Sequence, residues 1–152
     1  MALDAMYNAM DSLFLSNTLW NYTASNENDL MVGDGWNQED LSIYSKDQVI
    51  PGSDPDVYGG GGRAIEGFCR PYAAMIQGTP IKMEYQLETR EFVLEWISDL
   101  EIPEPSLIKI PRFVYPNGVQ IVLSNAEKIS ETNGELTVKG NGGKSSVTLR
   151  PL

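Results

Sequence analysis

The chain has 152 residues, the size of one average domain or of two small ones. Hydrophobic residues make up 41% and charged residues 21%, which suits a chain that buries a core and excludes a disordered one. The net charge of −10 argues against nucleic-acid binding, which needs basic surface. The single cysteine, Cys69, excludes an intrachain disulfide, and the absence of histidine excludes histidine triads and histidine metal sites. No metal and no cofactor are expected.

Membrane and targeting signals are absent from the sequence as given. No apolar run approaches the ~20 residues that a membrane-spanning helix needs. The sequence contains no basic segment followed by an apolar stretch, so no signal peptide is predicted in it. The compartment therefore stays open, with a cytoplasmic location slightly favoured over secretion.

The charge divides the chain into two unlike parts. Residues 1–78 hold 11 acidic and 3 basic residues, whereas residues 79–152 hold 10 acidic and 8 basic residues. The hydrophobic patterning changes at the same place, near Gly78-Thr79-Pro80. We therefore expect a domain boundary there, between residues 1–78 and residues 79–152.

The first part begins with an apolar stripe at helical spacing, which predicts a helix over residues 3–14. The stripe consists of Leu3, Met6, Tyr7, Met10, Leu13 and Phe14. Asn17 is a candidate for the left-handed residue that ends the helix. The short aromatic segment 18–22 predicts a strand, and residues 23–62, rich in Asn, Asp, Ser and Gly, predict a long loop.

A second stripe with the same spacing predicts a helix over residues 65–76, in which Pro71 is expected to cause a kink or a break. A helix, a strand and a helix form a fragment whose lone strand would lack hydrogen-bond partners. The usual partner of such a unit is a parallel neighbouring strand. We therefore expect the chain to be the C-terminal piece of a larger α/β protein.

The second part shows the alternation that is typical of strands. Residues 81–87 and 92–96 alternate apolar and polar side chains around Glu88-Thr89-Arg90, which predicts an antiparallel hairpin. Four further strands are predicted, separated by turn signals rich in Asn and Gly: Leu107–Ile110, Val119–Leu123, Leu136–Lys139 and Val147–Arg150. Short strands in this number indicate a small antiparallel sandwich, so the expected fold class is α+β.

The long loop carries the residues with the most obvious chemistry. Its first part, up to residue 40, holds five carboxylates, which suit either a paired-carboxylate or calcium site or a solvated loop with local turns: Glu27, Asp29, Asp34, Glu39 and Asp40. Their spacing matches no EF-hand, and the solvated loop is the preferred interpretation. Trp20 precedes this loop and Trp36 lies within it, and aromatic side chains either stack on sugars or fill cores.

Several segments together resemble the endoglycoceramidase and glucosylceramidase-like branch of glycoside hydrolase family 5. They are Thr18-Leu19-Trp20-Asn21-Tyr22-Thr23, Asn26, Gly33-Asp34-Gly35-Trp36-Asn37-Gln38-Glu39-Asp40-Leu41-Ser42-Ile43, Gly62-Arg63-Ala64, Cys69-Arg70-Pro71-Tyr72, Gly78-Thr79-Pro80, Ile110-Pro111-Arg112 and Tyr115-Pro116-Asn117-Gly118. The sequence departs from the family's pattern at Gln38, where glycine is expected, and in the four-glycine run 59–62.

The resemblance implies a retaining glycosidase with a (β/α)8 barrel and a C-terminal β-sandwich. Residues 1–78 would be the end of the barrel, and residues 79–152 the sandwich. The family's two catalytic glutamates would precede this chain, so no catalytic residue is assigned in it. Trp20, at the end of the last barrel strand, would form part of the sugar subsite, and Asn26, Asp34, Trp36 and Asn37 would rim the same cleft.

Two functions remain open at this point. The first is the C-terminal part of a glycosidase that acts on glycolipids such as glucosylceramide, oligosaccharide-ceramide or sterol glucoside. The second is a non-catalytic β-sandwich module that binds carbohydrate or a protein. The expected partners of the first are a glycolipid or β-glucoside substrate and the N-terminal remainder of the barrel. Contact with a membrane surface is left open, although the net charge opposes binding to anionic lipid.

Overall fold

Two four-stranded antiparallel sheets dominate the structure, a computed structural model that describes residues 2–35, 38–132 and 134–152. The helices are α1 (Ala2–Ser12) and α2 (Ile65–Phe68). The strands are β1 (Tyr44–Val49), β2 (Gly60–Gly62), β3 (Tyr72–Met75), β4 (Gly78–Gln86), β5 (Glu91–Ser98), β6 (Ser106–Lys109), β7 (Val119–Ser124), β8 (Ala126–Thr132), β9 (Glu135–Gly140) and β10 (Gly143–Pro151).

The sheets form a sandwich, as the strand pattern predicts. One sheet has the order β4-β5-β10-β7 and the other the order β3-β6-β9-β8, while β1 and β2 form a separate hairpin. The paired strands are antiparallel throughout. Because each strand alternates its side chains between two faces, the two sheets bury one face each against the other.

The core lies between these two faces. Phe92, Leu94 and Trp96 of β5 are fully buried, as their alternation predicts. The other fully buried core side chains are Val147 and Leu149 of the same sheet, and Ile108, Leu136 and Val138 of the facing sheet. At about 25 cal/mol per Å² of buried apolar area, this cluster supplies the main driving force for folding.

The predicted hairpin and four later strands are confirmed. Tyr85 of β4 pairs with Phe92 of β5 across the predicted turn, and Arg90 takes the left-handed conformation there with φ of 54°. Strand β8 was not predicted because it is an exposed edge strand whose charged side chains hide the alternation. Charge on an edge strand also opposes pairing with another chain.

The helix predicted over residues 65–76 is wrong beyond its first turn. Helix α2 ends at Phe68, and Tyr72–Met75 instead form strand β3, which pairs with β6. The reason is Pro71, which cannot donate a backbone hydrogen bond and which disfavours helical geometry at Arg70. The edge of β6 supplies the hydrogen-bond partners that the helix would have lost.

The strand predicted over residues 18–22 is also not formed. Asn21 instead bonds with the returning loop: its N–H donates to the carbonyl of Leu41 at 3.3 Å, and its carbonyl accepts from Ile43 N at 2.8 Å. The long loop predicted over 23–62 contains the β1–β2 hairpin. The barrel end that the resemblance implies is therefore not visible in the described residues.

Helix α1 forms where predicted, but its two faces have different environments from those that its sequence suggests. Its left-handed terminal residue is Phe14, with φ of 54°, rather than Asn17. Met6 and Leu13 of the apolar stripe are 61% and 67% exposed, whereas Asp11 is buried. The polar side of α1 therefore faces the described structure, and of the apolar stripe Met6 and Leu13 face away from it, whereas Tyr7 contacts Phe68 and Phe14 packs against the core.

The second sheet extends before the boundary expected at Gly78. Strand β3 belongs to it, and the Gln77 side chain is fully buried in the sandwich. Gln77 donates from Nε2 to the Ile102 carbonyl at 3.1 Å and accepts from Gly140 N at Oε1 at 2.9 Å. The boundary itself stays a prediction, but the sandwich uses residues on both sides of it.

Candidate functional site

Trp20 presents an indole to solvent beside a tightly bonded loop. The side chain is 77% exposed, although a tryptophan usually buries most of its surface. The Trp20–Asn21 peptide bond is cis. An exposed aromatic face next to fixed backbone is the arrangement that stacks on a sugar ring.

Asn21 connects Trp20 to that loop. Both backbone groups of Asn21 are bonded to residues 41–43, and its Nδ2 donates to Asp34 Oδ1 at 2.7 Å. Its own Oδ1 is buried and has no hydrogen-bond partner among the described residues. The residue after Trp20 is therefore held by three hydrogen bonds.

Asp34 is one of the residues predicted for the cleft, and its carboxylate lies inside the loop. Oδ1 accepts from Asn21 Nδ2, and Oδ2 accepts from Leu41 N at 2.8 Å. These bonds stabilise the charged form and so lower the pKa of Asp34 below its ordinary value, and the bond from Asn21 has the largest effect. The carboxylate is therefore ionised at neutral pH and joins two loop segments.

Asn26, also predicted for the cleft, is fully buried at the centre of the loop. Its Oδ1 accepts from Asp34 N at 3.0 Å, and its Nδ2 donates to Asp40 Oδ1 at 3.2 Å and to the Tyr44 carbonyl at 3.0 Å. Gly33 makes this packing possible: its φ is +67°, and a Cβ there would lie 2.4 Å from Asn26 Cα.

An ion pair also joins the loop to Arg63, which follows strand β2. Arg63 Nη1 lies 2.6 Å from Asp40 Oδ1 and donates to the Ser42 carbonyl at 3.1 Å. The Ser42 hydroxyl accepts from Thr23 N and from Tyr44 N, each at 3.2 Å. Asp40 therefore joins Asn26 to Arg63 within the loop, as expected of a residue that orders the loop.

The other two predicted site residues, Trp36 and Asn37, lie outside the described residues. Within the described ranges, no group of three or more Asp, Glu, Cys or His side chains is arranged to hold a metal ion. No helix in those ranges is both long and apolar enough to cross a membrane.

Two grooves adjoin the loop and the sandwich. One, of about 710 Å³, is lined mainly by apolar and aromatic side chains, including Tyr22, Tyr44 and Phe113. The other, of about 800 Å³, lies between the end of α1 and strand β3. Trp20 lines neither groove, so the exposed indole and the grooves are separate features of the surface.

Sequence reasoning missed a buried cluster around Arg70. The Arg70 guanidinium contacts Asp4 at 2.8 Å, Asp11 at 3.2 Å and Asn8 Oδ1 at 2.6 Å. It also lies 5.2 Å from the ring centroid of Tyr85 on β4. The spacing of residues 4, 8 and 11 was the available signal, because it predicts a polar stripe on one face of α1.

Comparison with known proteins places the chain in a family. The family described as "Glycoside hydrolase family 5 C-terminal domain" matches residues 70–149. A glucosylceramidase of Rhizopus delemar is 34% identical over 126 residues, which cover 76% of this chain and 18% of that protein. The chain therefore spans less than a fifth of that relative's length.

Solved structures resemble the whole described fold. Sterylglucosidase 1 of Cryptococcus neoformans matches with a TM-score of 0.83 at 23% identity, covering 99% of this chain and 24% of that one. Endo-glycoceramidase II from Rhodococcus sp., in its ganglioside GM3 complex, matches with a TM-score of 0.67 at 17% identity, covering 99% and 28%. The chain belongs to glycoside hydrolase family 5, of whose C-terminal domain it carries the sandwich.

Proposed function

We propose that this chain is the C-terminal part of a retaining glycoside hydrolase that cleaves O-glycosidic bonds of glycolipids. Membership of glycoside hydrolase family 5, through the match over residues 70–149, is the observation that carries the proposal. The exposed Trp20 beside an ordered loop supports it, because such a face can stack on the sugar.

The remainder of a (β/α)8 barrel is the proposed partner of helix α1. Met6 and Leu13 expose most of their apolar surface, and burial of such side chains contributes about 1.5–3 kcal/mol each. The polar stripe of α1 is already occupied by Arg70, so the barrel would cover the opposite face. Residues 1–78 would then supply the end of the barrel.

Glycolipids are the proposed substrate class. The relative from Rhizopus delemar is named a glucosylceramidase, that from Cryptococcus neoformans a sterylglucosidase, and that from Rhodococcus an endo-glycoceramidase solved with ganglioside GM3. The substrates that these names indicate all contain a sugar joined to a lipid. Glucosylceramide, oligosaccharide-ceramide and sterol glucoside are therefore the compounds to test. Contact with a membrane surface and a cytoplasmic location stay predictions.

The chain alone should be inactive. Retaining hydrolysis needs two carboxyl groups about 5–5.5 Å apart, one as nucleophile and one as acid and base. Asp4 and Asp11 both form ion pairs with Arg70, so neither carboxylate is available for catalysis. Asp34 and Asp40 are bonded within the loop. The catalytic pair would lie on the barrel strands that precede this chain.

The test is made in the full-length protein that carries this chain. Trp20→Ala should lower the catalytic efficiency on glucosylceramide and on a fluorogenic β-glucoside by about tenfold to a hundredfold. Part of the loss should appear in kcat, because stacking also orients the sugar ring. A wild-type protein that hydrolyses none of the three glycolipids would contradict the proposal.

The matched control is Tyr58→Ala, which removes another exposed aromatic side chain from the loop between β1 and β2. It should leave both kinetic constants unchanged. The melting temperature of each variant separates binding from packing. A Trp20→Ala protein with normal kinetics and a lowered melting temperature would show that the indole packs against the barrel instead. Hydrolysis by pure residues 1–152 would show that the catalytic groups lie within this chain.

A further inference from the structure

We propose that Asp34 is a positioning residue for Trp20, holding the indole through Asn21 rather than contacting the sugar. This inference rests on the proposed function, since it concerns the same sugar subsite. Asn21 follows Trp20 directly, and its Nδ2 donates to Asp34 Oδ1 at 2.7 Å. The same carboxylate accepts from Leu41 N at 2.8 Å.

These two bonds fix the backbone that carries the indole. Leu41 also accepts from Asn21 N, so Asp34 and Leu41 together form a closed ring of hydrogen bonds around Asn21. The ring begins one residue after Trp20. An exposed side chain that has few packing contacts of its own depends on its backbone for orientation, and small displacements at a site are costly.

Asp34 is itself held by a further hydrogen bond, which joins it to Asn26. Its N–H donates to Oδ1 of the fully buried Asn26, which also bonds to Asp40 and to the Tyr44 carbonyl. Arg63 in turn forms an ion pair with Asp40. A series of polar contacts therefore runs from Arg63 to the residue beside Trp20.

The burial of Asp34 argues against direct contact with the sugar. The residue is only 8% exposed, and each of its carboxylate oxygens already accepts a hydrogen bond from within the loop. Trp20 is 77% exposed. In this part of the described structure, the indole therefore meets the ligand, and the carboxylate acts through the indole.

A double-mutant cycle in the full-length protein tests this relationship. Trp20→Ala and Asp34→Ala should each lower kcat/KM on a fluorogenic β-glucoside by about tenfold or more. The double variant should be no worse than Trp20→Ala alone, within about twofold, because both changes remove one interaction. Additive losses would overturn the proposal.

Two further variants test whether the effect belongs to the hydrogen bonds. Asp34→Asn keeps an oxygen that accepts from Asn21, although its amide cannot also accept from Leu41 N, so it should recover part of the loss. Asp54→Ala removes an exposed carboxylate paired with Arg112 from the neighbouring loop, and it should have normal kinetics. Equal losses in Asp34→Asn and Asp34→Ala would contradict a role through Asn21.

Fluorine NMR observes Trp20 without relying on activity. The protein is labelled with 5-fluorotryptophan, and the Trp20 resonance is identified by its absence in Trp20→Phe. It should shift or broaden in Asp34→Ala but not in Asp54→Ala. An unchanged resonance in folded Asp34→Ala protein would overturn the proposal; if that variant does not fold, Asn21→Ala, which removes the side chain that donates to Asp34, decides in the same way. Normal kinetics of Trp20→Ala would instead refute the proposed sugar contact, leaving the resonance to decide the positioning.

Discussion

Arg70 Nη1 donates to Asp11 Oδ2 across 3.2 Å, joining helix α1 to the segment that enters strand β3. Both residues are buried, at 4% and 7% exposure. Burial raises the pKa of Asp11, and the neighbouring Arg70 opposes that rise. Asp11 thus depends on Arg70 for its charge, and Arg70 also contacts Asp4 and the ring of Tyr7.

Arg70→Met should therefore destabilise the protein strongly. It leaves two acidic side chains of α1 without their cation, and breaking a buried ion pair costs about 3–5 kcal/mol. The measurement is the free energy of unfolding in urea. Arg112→Met is the matched control, because Arg112 pairs with Asp54 and Asp56 at the surface, where such pairs contribute about 0–1 kcal/mol. Equal losses in the two variants would show that burial does not strengthen the Arg70 cluster.

The sandwich could be predicted from sequence because its signals are local. Phe92, Leu94 and Trp96 stand at every second position, and the predicted turns at 116–118, 133–134 and 141–143 carry asparagine and glycine. Each strand then buries one face, so periodicity alone determines which side chains form the core. Strand β8 could not be predicted in this way because it lies at an edge of its sheet and buries little of its surface.

The region before the sandwich was harder to predict because distant partners decide it. Residues 72–75 fit a helical stripe, but β6 and the preceding Pro71 make them a strand. The candidate site residues Asn26 and Asp34 could be selected from a resemblance, but their bonding to each other joins residues 8 apart in the chain. Nothing in their spacing shows that they face inward.

The sandwich should need residues before Gly78 for its full stability. Strand β3 pairs with β6, and Gln77 bonds to the Ile102 carbonyl, to the amide of Gly140 and to the Ser106 hydroxyl. Residues 79–152 alone would lose these contacts. Residues 70–152 should give a well-dispersed amide NMR spectrum and a higher melting temperature than residues 79–152. Equal melting temperatures would support a domain boundary at Gly78.

The two faces of strand β5 should tolerate substitution very differently. Leu94 is fully buried between the sheets, so Leu94→Ala removes core contacts and leaves a cavity, at a cost of about 2–5 kcal/mol. Ile97, on the same strand, is 43% exposed, and Ile97→Ala should cost clearly less. Urea unfolding of both variants measures the difference. Similar costs would mean that the sandwich core is less tightly packed than its burial indicates.

The loop beside Trp20 should lose stability in acid because of Asp34. Hydrogen bonds from Asn21 and Leu41 lower the pKa of this carboxyl in the folded protein below the value of about 3.9 in an unfolded chain. A group whose pKa is depressed by folding contributes stability above its unfolded pKa and loses it as the pH falls through the folded value. Asp34→Asn cannot titrate. The difference in unfolding free energy between wild type and Asp34→Asn should therefore be largest near pH 7 and shrink from about pH 5 downward.

Ser42→Ala is the control for this pH dependence. The Ser42 hydroxyl bonds to Thr23 N and Tyr44 N in the same loop, but it carries no proton that titrates in this range. Its removal should lower stability by about 1 kcal/mol. That loss should not change between pH 7 and pH 3, because neither serine nor alanine changes charge there. Urea unfolding of the three proteins at several pH values makes the comparison. A wild-type to Asp34→Asn difference as independent of pH as that of Ser42→Ala would show that the carboxyl proton is not linked to folding of the loop.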